Sequence, residues 1–332
     1  MYNYDQALYP TQLAHFCSAA SLPKLDPEMV LRQRADQHWL ACSKQGEVVA
    51  RCSLWWQSTP LYQGHRLGFI GHYAALDAQA GDHLLQFVCD QLAQQNCTMA
   101  VGPIDGNTWQ SYRYVVETSE EPSFFLEPQH PDTCPAHLSE NGFTPLAHYF
   151  SAINTDLERR HPHRSELEAQ MAAYNITTRP LKLDQFEAEL RRIYPLILDS
   201  FQDNFLYSPI CLEDFIAQYC PIQPYLDPNL ILVADYDGYP IGFAFAVPDI
   251  HQMQRGQTMD TVVFKTIAVH PDWTGIGLGA LLFDSCQAQA YKRGFRRVIH
   301  AMMHETNASR KISKHYGKTI RRYALFAKPL AA

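Results

Sequence analysis

Three glycines at alternate positions, Gly275, Gly277 and Gly279, separate an apolar run from an amphipathic one, and no other stretch of the chain narrows its fold as sharply. The run before them, Thr261 to Val269, is β-branched and apolar and ends at Pro271, which reads as a largely buried strand. After them Leu278, Leu281, Leu282 and Cys286 fall on one helical face, and Lys292, Arg293 and Gly294 supply a cationic last turn and a stop. Glycine lets successive amides turn inward and admits a bulky anion close to the backbone, while a helix N-terminus adds roughly half a positive charge. The turn therefore reads as a phosphate cradle at a strand-to-helix junction. A strand from Arg296 to Met303 completes a β-α-β unit.

The same order of signals occurs twice. Trp39 to Ala50 and Ile231 to Gly242 share a strand-turn-strand pattern with polar, glycine-containing turns. Phe69 to Leu76 then matches Phe264 to Pro271, and the helix carrying Leu84, Leu85, Val88 and Cys89 matches the one carrying Leu281, Leu282, Ser285 and Cys286. Asn107, after a strand at Thr98 to Gly102, falls opposite Asn307, and Asn141 to Ser151 mirrors Tyr316 to Leu325. Two copies of one α/β domain, residues 1–157 and 175–332, with a polar linker or surface helix over 158–174, account for the 332 residues. The copies differ at the cradle: opposite Thr274 to Gly279 stands Asp77 to Asp82, with one glycine and two carboxylates. Like charges about 4 Å apart repel by roughly 1 kcal/mol in water and several times that in a half-buried cleft, so this segment rejects a pyrophosphate. The first copy is expected to be degenerate, to support the second or shape its acceptor site, and to use Asp82 as a helix N-cap.

Composition sets outer bounds. With 46% hydrophobic and 12% aromatic residues the chain has ample material for packed cores. A net charge of -7 without a long basic run argues against nucleic acid or an anionic membrane surface as partner. Nine cysteines without a C-x-x-C pair suggest reduced thiols and no metal site. The N-terminus shows no basic region followed by an apolar core, and no run approaches the roughly 20 apolar residues of a membrane span; the expected location is the cytoplasm.

Residues 225 to 330 resemble the GNAT superfamily of acyl-CoA-dependent N-acyltransferases, and the whole chain resembles a tandem GNAT protein. The family pattern is a strand ending in V-x-P, then Q/R-x-x-G-x-G/A, a helix, another strand, and an asparagine followed by a tyrosine. Here these are Val269 and Pro271; Thr274, Gly277 and Gly279; and Asn307 with Tyr316. Thr274 departs from the pattern, and the interval from Asn307 to Tyr316 is slightly long, which leaves His315 or Lys314 as alternatives at the inward position. The resemblance implies an α/β fold of two tandem domains, each a mixed, mostly antiparallel twisted sheet flanked by helices. It implies acetyl-CoA, or another acyl-CoA, as cosubstrate and no metal. The pyrophosphate is expected on Thr274, Gly275, Ile276, Gly277, Leu278 and Gly279, and the thioester beside Ile267, Ala268 and Val269. Asn307 is expected at the pantetheine arm and Arg310 at a CoA phosphate. The acceptor amine attacks the thioester directly, Tyr316 is the acid on the thiol side, and His304 and Glu305 are the candidate bases, with His300 better suited to the core.

Two other readings stay open at this stage. Gly275, Gly277 and Ala280 satisfy a loose G-x-G-x-x-A dinucleotide pattern, but His270 to Thr274 intervene after the strand and too little chain follows for the remaining β-α units. A degenerate GNAT pair could also act as a non-catalytic acyl-CoA sensor. For the acceptor, a small molecule or a peptide, Ser200 to Pro209 mixes a carboxylate with aromatics and suits a cationic amine, while Trp109 to Tyr114 forms either an aromatic wall or domain packing. Glu117, Glu120 and Glu121 read as a solvated acidic loop, and the oligomeric state is open.

Overall fold

The computed structural model of the chain describes residues 2–7, 10–306 and 317–331, through which two successive strand-and-helix series run. The first series comprises β1 (Asn3–Gln6), α1 (Pro10–Ser18), α2 (Pro27–Arg32), β2 (Gln37–Cys42), β3 (Val48–Trp55), β4 (Leu61–Tyr62), β5 (His65–Ala75), α3 (Ala78–Gln94), β6 (Met99–Gly102), β7 (Tyr114–Thr118), α4 (Cys134–Glu140) and β8 (Thr144–Asn154). After α5 (Arg164–Ala173) come β9 (Thr177–Pro180), α6 (Phe186–Phe201), α7 (Leu212–Tyr219), β10 (Ile231–Tyr236), β11 (Tyr239–Pro248), α8 (Ile250–Gln254), β12 (Thr261–Val269), α9 (Leu278–Lys292), β13 (Arg297–His304) and β14 (Lys318–Pro329). No described helix is long and apolar enough to cross a membrane.

The strands form a mixed sheet in the order β1-β2-β3-β5-β6-β14-β8-β13-β12-β11-β10-β9, with β4 on β5 and β7 on β14. Pairing is antiparallel except between β5 and β6 and between β12 and β13. Helices cover its faces, so the α/β class expected from the repeat is the one the chain adopts. The two series do not keep their own last strands, however. β14 pairs with β6 of the first series, β8 pairs with β13 of the second, and β8 and β14 pair with each other from Ile153↔Lys318 to Thr144↔Ala327.

The exchange follows the two-residue period of β14. Tyr323, Leu325 and Ala327 pack with Phe69, Val101 and Tyr149 on one face, and Ala324 and Phe326 join Leu84, Val88 and Phe143 on the other. Each large apolar side chain buried this way contributes on the order of 1.5–3 kcal/mol. In the second series β11 is buried on both faces by the same logic. Phe243, Phe245 and Val247 meet the α6 and α7 side chains, while the small Ala244 and Ala246 let Leu278 and Leu282 of α9 approach closely.

A buried polar junction ties the exchanged strands together. Tyr323 Oη donates to Glu127 Oε1 at 2.7 Å and lies 3.0 Å from Ser151 Oγ, and Arg321 Nε stands 3.3 Å from the same Glu127. Burial raises the Glu127 carboxyl pKa against the opposing pull of these partners. Tyr323→Phe removes the shared hydroxyl, and a buried acceptor left without its donor costs about 1–3 kcal/mol. Urea unfolding of this variant should show that loss, with both halves melting in one transition because they share strands.

Candidate active site

β12 and β13 pair in parallel from Thr261↔Arg297 to Phe264↔His300, and past that point they diverge. An irregularity in each strand causes the divergence. In β12 the register on β11 jumps from Phe264↔Ala246 to Thr266↔Phe245, so Lys265 is the extra residue of a bulge. In β13 the register on β8 slips between His300 and Met303, and Met302 takes a left-handed φ of 56°. The Met302 peptide groups are held from the first series: its N–H donates to Ser151 Oγ at 2.8 Å, and its carbonyl accepts from Arg113 Nη1 at 3.0 Å.

The divergence opens a cavity of about 290 Å³. Lys265 to Ile267 and Ala301 to His304 line it from the two strands. Phe201, the last residue of α6, and Phe205 and Tyr207 after it close one side together with Tyr219 of α7; Trp109, Tyr112 and Arg113 of the first series close another. Trp109 also donates its indole N–H to the Ser208 carbonyl at 2.8 Å, so this loop both walls the cavity and joins the two series.

Beyond the open ends of the strands lies the N-terminus of α9. Gly275 and Gly277 have φ of 82° and 85°, values only glycine adopts freely, and no side chain caps the helix. A Cβ on Gly277 would collide with Leu167 of α5, whereas nothing lies near one on Gly275. Thr274 is not free for an anion: its amide and its hydroxyl both donate to the Pro271 carbonyl, at 3.2 and 2.8 Å.

Residues 190–316 match the family model described as acetyltransferase (GNAT) family. These residues form a GNAT domain. Among solved structures, a GCN5-related N-acetyltransferase from Anabaena variabilis is similar over 100% of this chain and 73% of its own, at 9% identity and TM-score 0.55. A tandem GNAT protein from the clavulanic acid biosynthesis pathway is similar over 100% and 99%, at 14% identity and TM-score 0.50. A fungal multi-domain GH3 β-N-acetylglucosaminidase with a GCN5-related glucosamine N-acetyltransferase region is similar over 99% of this chain, at 15% identity and TM-score 0.53, and the chain spans 38% of its length. At these identities the likeness is one of fold. No curated protein matches the chain.

In the first series the corresponding features are shut. β5 and β6 pair in parallel only to Phe69↔Val101, but the gap beyond is stitched: Ile104 N–H donates to the Ile70 carbonyl at 2.9 Å, and His72 N–H to Asp105 Oδ1 at 2.7 Å. Burial raises the Asp105 carboxyl to about 7. The N-terminus of α3 is capped by Asp77, which accepts from Ala80 N–H at 2.8 Å. This corrects the expectation for Asp82, whose carboxylate instead accepts from Asn141 Nδ2 at 2.6 Å.

The sequence candidates of the GNAT domain are spread over these features. Ile267 lines the cavity, Ala268 is buried, and Val269 accepts at its carbonyl from Ser200 Oγ at 3.0 Å. His304 lines the cavity, packed against Tyr149 and Phe205. Burial, reinforced by Arg113, lowers its pKa. Thr306 N–H donates to its Nδ1 at 3.2 Å, which leaves the proton of the neutral ring on Nε2 and makes that nitrogen a donor. His300, lowered to about 3 by burial, stacks edge-on against Phe283 as a neutral core ring. Glu305 does not line the cavity; it faces Arg322 at 3.4 Å. Glu117 and Glu120 are exposed, as expected of a solvated stretch, although Glu117 also faces Arg322 at 3.3 Å, and the partly buried Glu121 pairs with Arg297 at 2.5 Å. Asn307, Arg310, Lys314, His315 and Tyr316 lie outside the described residues.

Two cations of the cavity were not singled out from sequence. A charged residue within the apolar run Thr261 to Val269 was the available signal for Lys265, and Arg113 is flanked by Tyr112 and Tyr114 in a copy expected to be degenerate. The Lys265 side chain is accessible through the cavity, yet the dense protein around it limits hydration, and with the neighbouring Arg113 this lowers its ammonium to about 8. Reductive methylation with ¹³C-formaldehyde should place the Lys265 resonance at a titration midpoint near 8 instead of the ordinary 10.5, and Arg113→Gln should move that midpoint upward.

Proposed function

We propose that the chain is an acyl-CoA-dependent N-acyltransferase, with acetyl-CoA as donor, whose reaction takes place in the gap between β12 and β13. The observation that carries this reading is one arrangement: parallel strands that part beside a 290 Å³ cavity and lead to a glycine-built helix N-terminus without a side-chain cap. The residues present fit a CoA. The amides of Gly275 to Gly279 face no competing carboxylate cap, unlike α3 with Asp77. Gly275, Ile276, Gly277, Leu278 and Gly279 would hold the pyrophosphate, and Ile267, Ala268 and Val269 the thioester arm, with Asn307 and Arg310 as further contacts.

Acyl-CoA supplies an activated acyl group: the amine nitrogen bonds to the acyl carbon as the C–S bond breaks, the amine loses one proton and the sulfur gains one. The edge of β12 that parts from β13 offers backbone donors for an oxygen that gains charge. Lys265, half uncharged near pH 8, can take the amine's proton. Together with Arg113 it makes the cavity positive, which favours the neutral form of an entering amine over its ammonium. His304, a donor through Nε2, serves an oxygen better than it serves as base, and Tyr316 is the proposed proton source for the sulfur. The walls from Trp109 to Arg113 and from Phe201 to Tyr207 keep water from the reacting groups.

Two experiments test this. Gly277→Val puts a branched side chain at a left-handed φ and against Leu167; calorimetry should show acetyl-CoA binding abolished while circular dichroism retains the fold, and unchanged affinity would remove the cradle from the site. Lys265→Met should lower kcat about 100-fold with acetyl-CoA affinity retained. With an amine acceptor that carries no carboxylate, the parent's kcat should rise with pH and level off above about 8, as the lysine loses its proton, and the variant should lack that step.

A further inference from the structure

We propose that the acceptor amine itself carries a carboxylate, that it is an amino acid with an apolar side chain, and that Arg113 binds this carboxylate. The inference rests on the acyltransfer reading above and specifies its substrate.

Arg113 is 8% exposed, with its guanidinium centre 3.8 Å from the Tyr112 ring centroid and 4.3 Å from that of Tyr149. One terminal nitrogen donates to the Met302 carbonyl, while Nε is buried and has no hydrogen-bond partner among the described residues. No carboxylate pairs with Arg113 among those residues, whereas the equally buried Arg321 has Glu127. Arg51, also buried, directs its two terminal nitrogens to the carbonyls of Phe16 and Pro23. A buried cation without a counter-ion is unfavourable. The fold also holds Arg113 at a left-handed φ of 71°, a strained backbone for a residue with a side chain. Burial, strain and a missing counter-ion coincide at a side chain that lines the cavity.

The rest of the lining agrees. Gln218 Nε2 and His304 Nε2 are likewise buried without partners among the described residues. No described residue lining the cavity is Asp or Glu, and the sequence of 307–316 contains neither. The space therefore offers donors to an oxygen anion and, among the described residues, no carboxylate to a second ammonium. This reverses the expectation drawn from Ser200 to Pro209: Asp203 is exposed and does not line the cavity, whereas Phe201, Phe205 and Tyr207 do. Aromatic walls suit an apolar side chain, and Arg, with its planar fork, suits a carboxylate.

The test compares acceptors that differ only in the carboxylate, L-phenylalanine against phenethylamine and L-leucine against isoamylamine, with acetyl-CoA and the full chain. The parent should favour the amino acid of each pair by about 100-fold in kcat/KM, mostly through KM. Arg113→Gln should lose roughly that factor on the amino acids and far less on the amines, and Arg113→Lys should recover part of it. An equal loss on both members of a pair would reduce Arg113 to a structural tie to Met302 and overturn the proposal, as would a parent that prefers the amines. If phenethylamine is acylated and an Arg113-dependent preference appears for succinyl-CoA over acetyl-CoA, the carboxylate belongs to the acyl chain and the acceptor assignment fails. Should no amine be acylated, the acyltransfer reading fails separately. Binding followed by tryptophan fluorescence still decides: N-acetyl-L-phenylalanine binding more tightly than N-acetylphenethylamine, with the difference lost in Arg113→Gln, supports the carboxylate site, and equal binding sinks it. If Arg113→Gln does not fold, Arg113→Lys and the parent's ratios decide between the same two outcomes.

Discussion

The pairing of β8 with β14 is the interaction on which the rest of the molecule depends. It places the last strand of each series in the core of the other, so neither series can assemble its sheet alone. It also brings first-series residues to the one place where second-series strands part. Ser151 of β8 takes the Met302 N–H and Arg113 takes the Met302 carbonyl, so both polar groups of the residue that breaks the β13 ladder are satisfied from across the exchange. A parallel strand that loses its partner would otherwise leave buried peptide groups unpaired, which a core does not tolerate. The exchange thus lets the gap exist.

The two gaps obey the same electrostatics and end differently. A helix N-terminus after a strand attracts an anion, and in the first series the chain supplies its own, Asp77 on the Ala80 amide of α3, while the Asp105 carboxyl takes the His72 N–H where β5 and β6 separate. In the second series the matching turn has glycine where a carboxylate could cap, and the bulge residue is a cation, Lys265. One helix N-terminus is capped by the chain's own carboxylate and the other has no side-chain cap, the same electrostatics met with different residues.

Much of this was legible in the sequence, and the reasons for the rest are specific. Apolar period and turn residues marked the strands, and β12 runs over the same Thr261 to Val269 that the β-branched run delimits. The exchange was not legible, because a two-residue period states which faces are buried and says nothing about which neighbour a strand takes; β8 and β14 read equally well in either sheet. The N-cap of α3 was misplaced because Asp77 and Asp82 both stand near the helix start, and only backbone geometry separates them. Asp203 does not share the facing of Phe201, Phe205 and Tyr207, which a carboxylate set among aromatics does not reveal in the sequence. Arg113 was passed over because its copy lacks the glycine turn, and the sequence does not show that a first-series side chain lines a cavity between second-series strands.

That placement of Arg113 bears on the proton as well. Packing is the larger cause of the lowered Lys265 ammonium and Arg113 the smaller. On the proposed reading, a carboxylate resting on Arg113 offsets the smaller cause alone, so the Lys265 pKa rises somewhat while staying below that of an ordinary lysine. In the proposed reaction both cations discourage an ammonium before the acceptor enters; with its carboxylate on Arg113, Lys265 serves as base only in its neutral form. On the proposed reading, recognition of the carboxylate and the basicity of Lys265 are coupled through one guanidinium, which the first series contributes to the second.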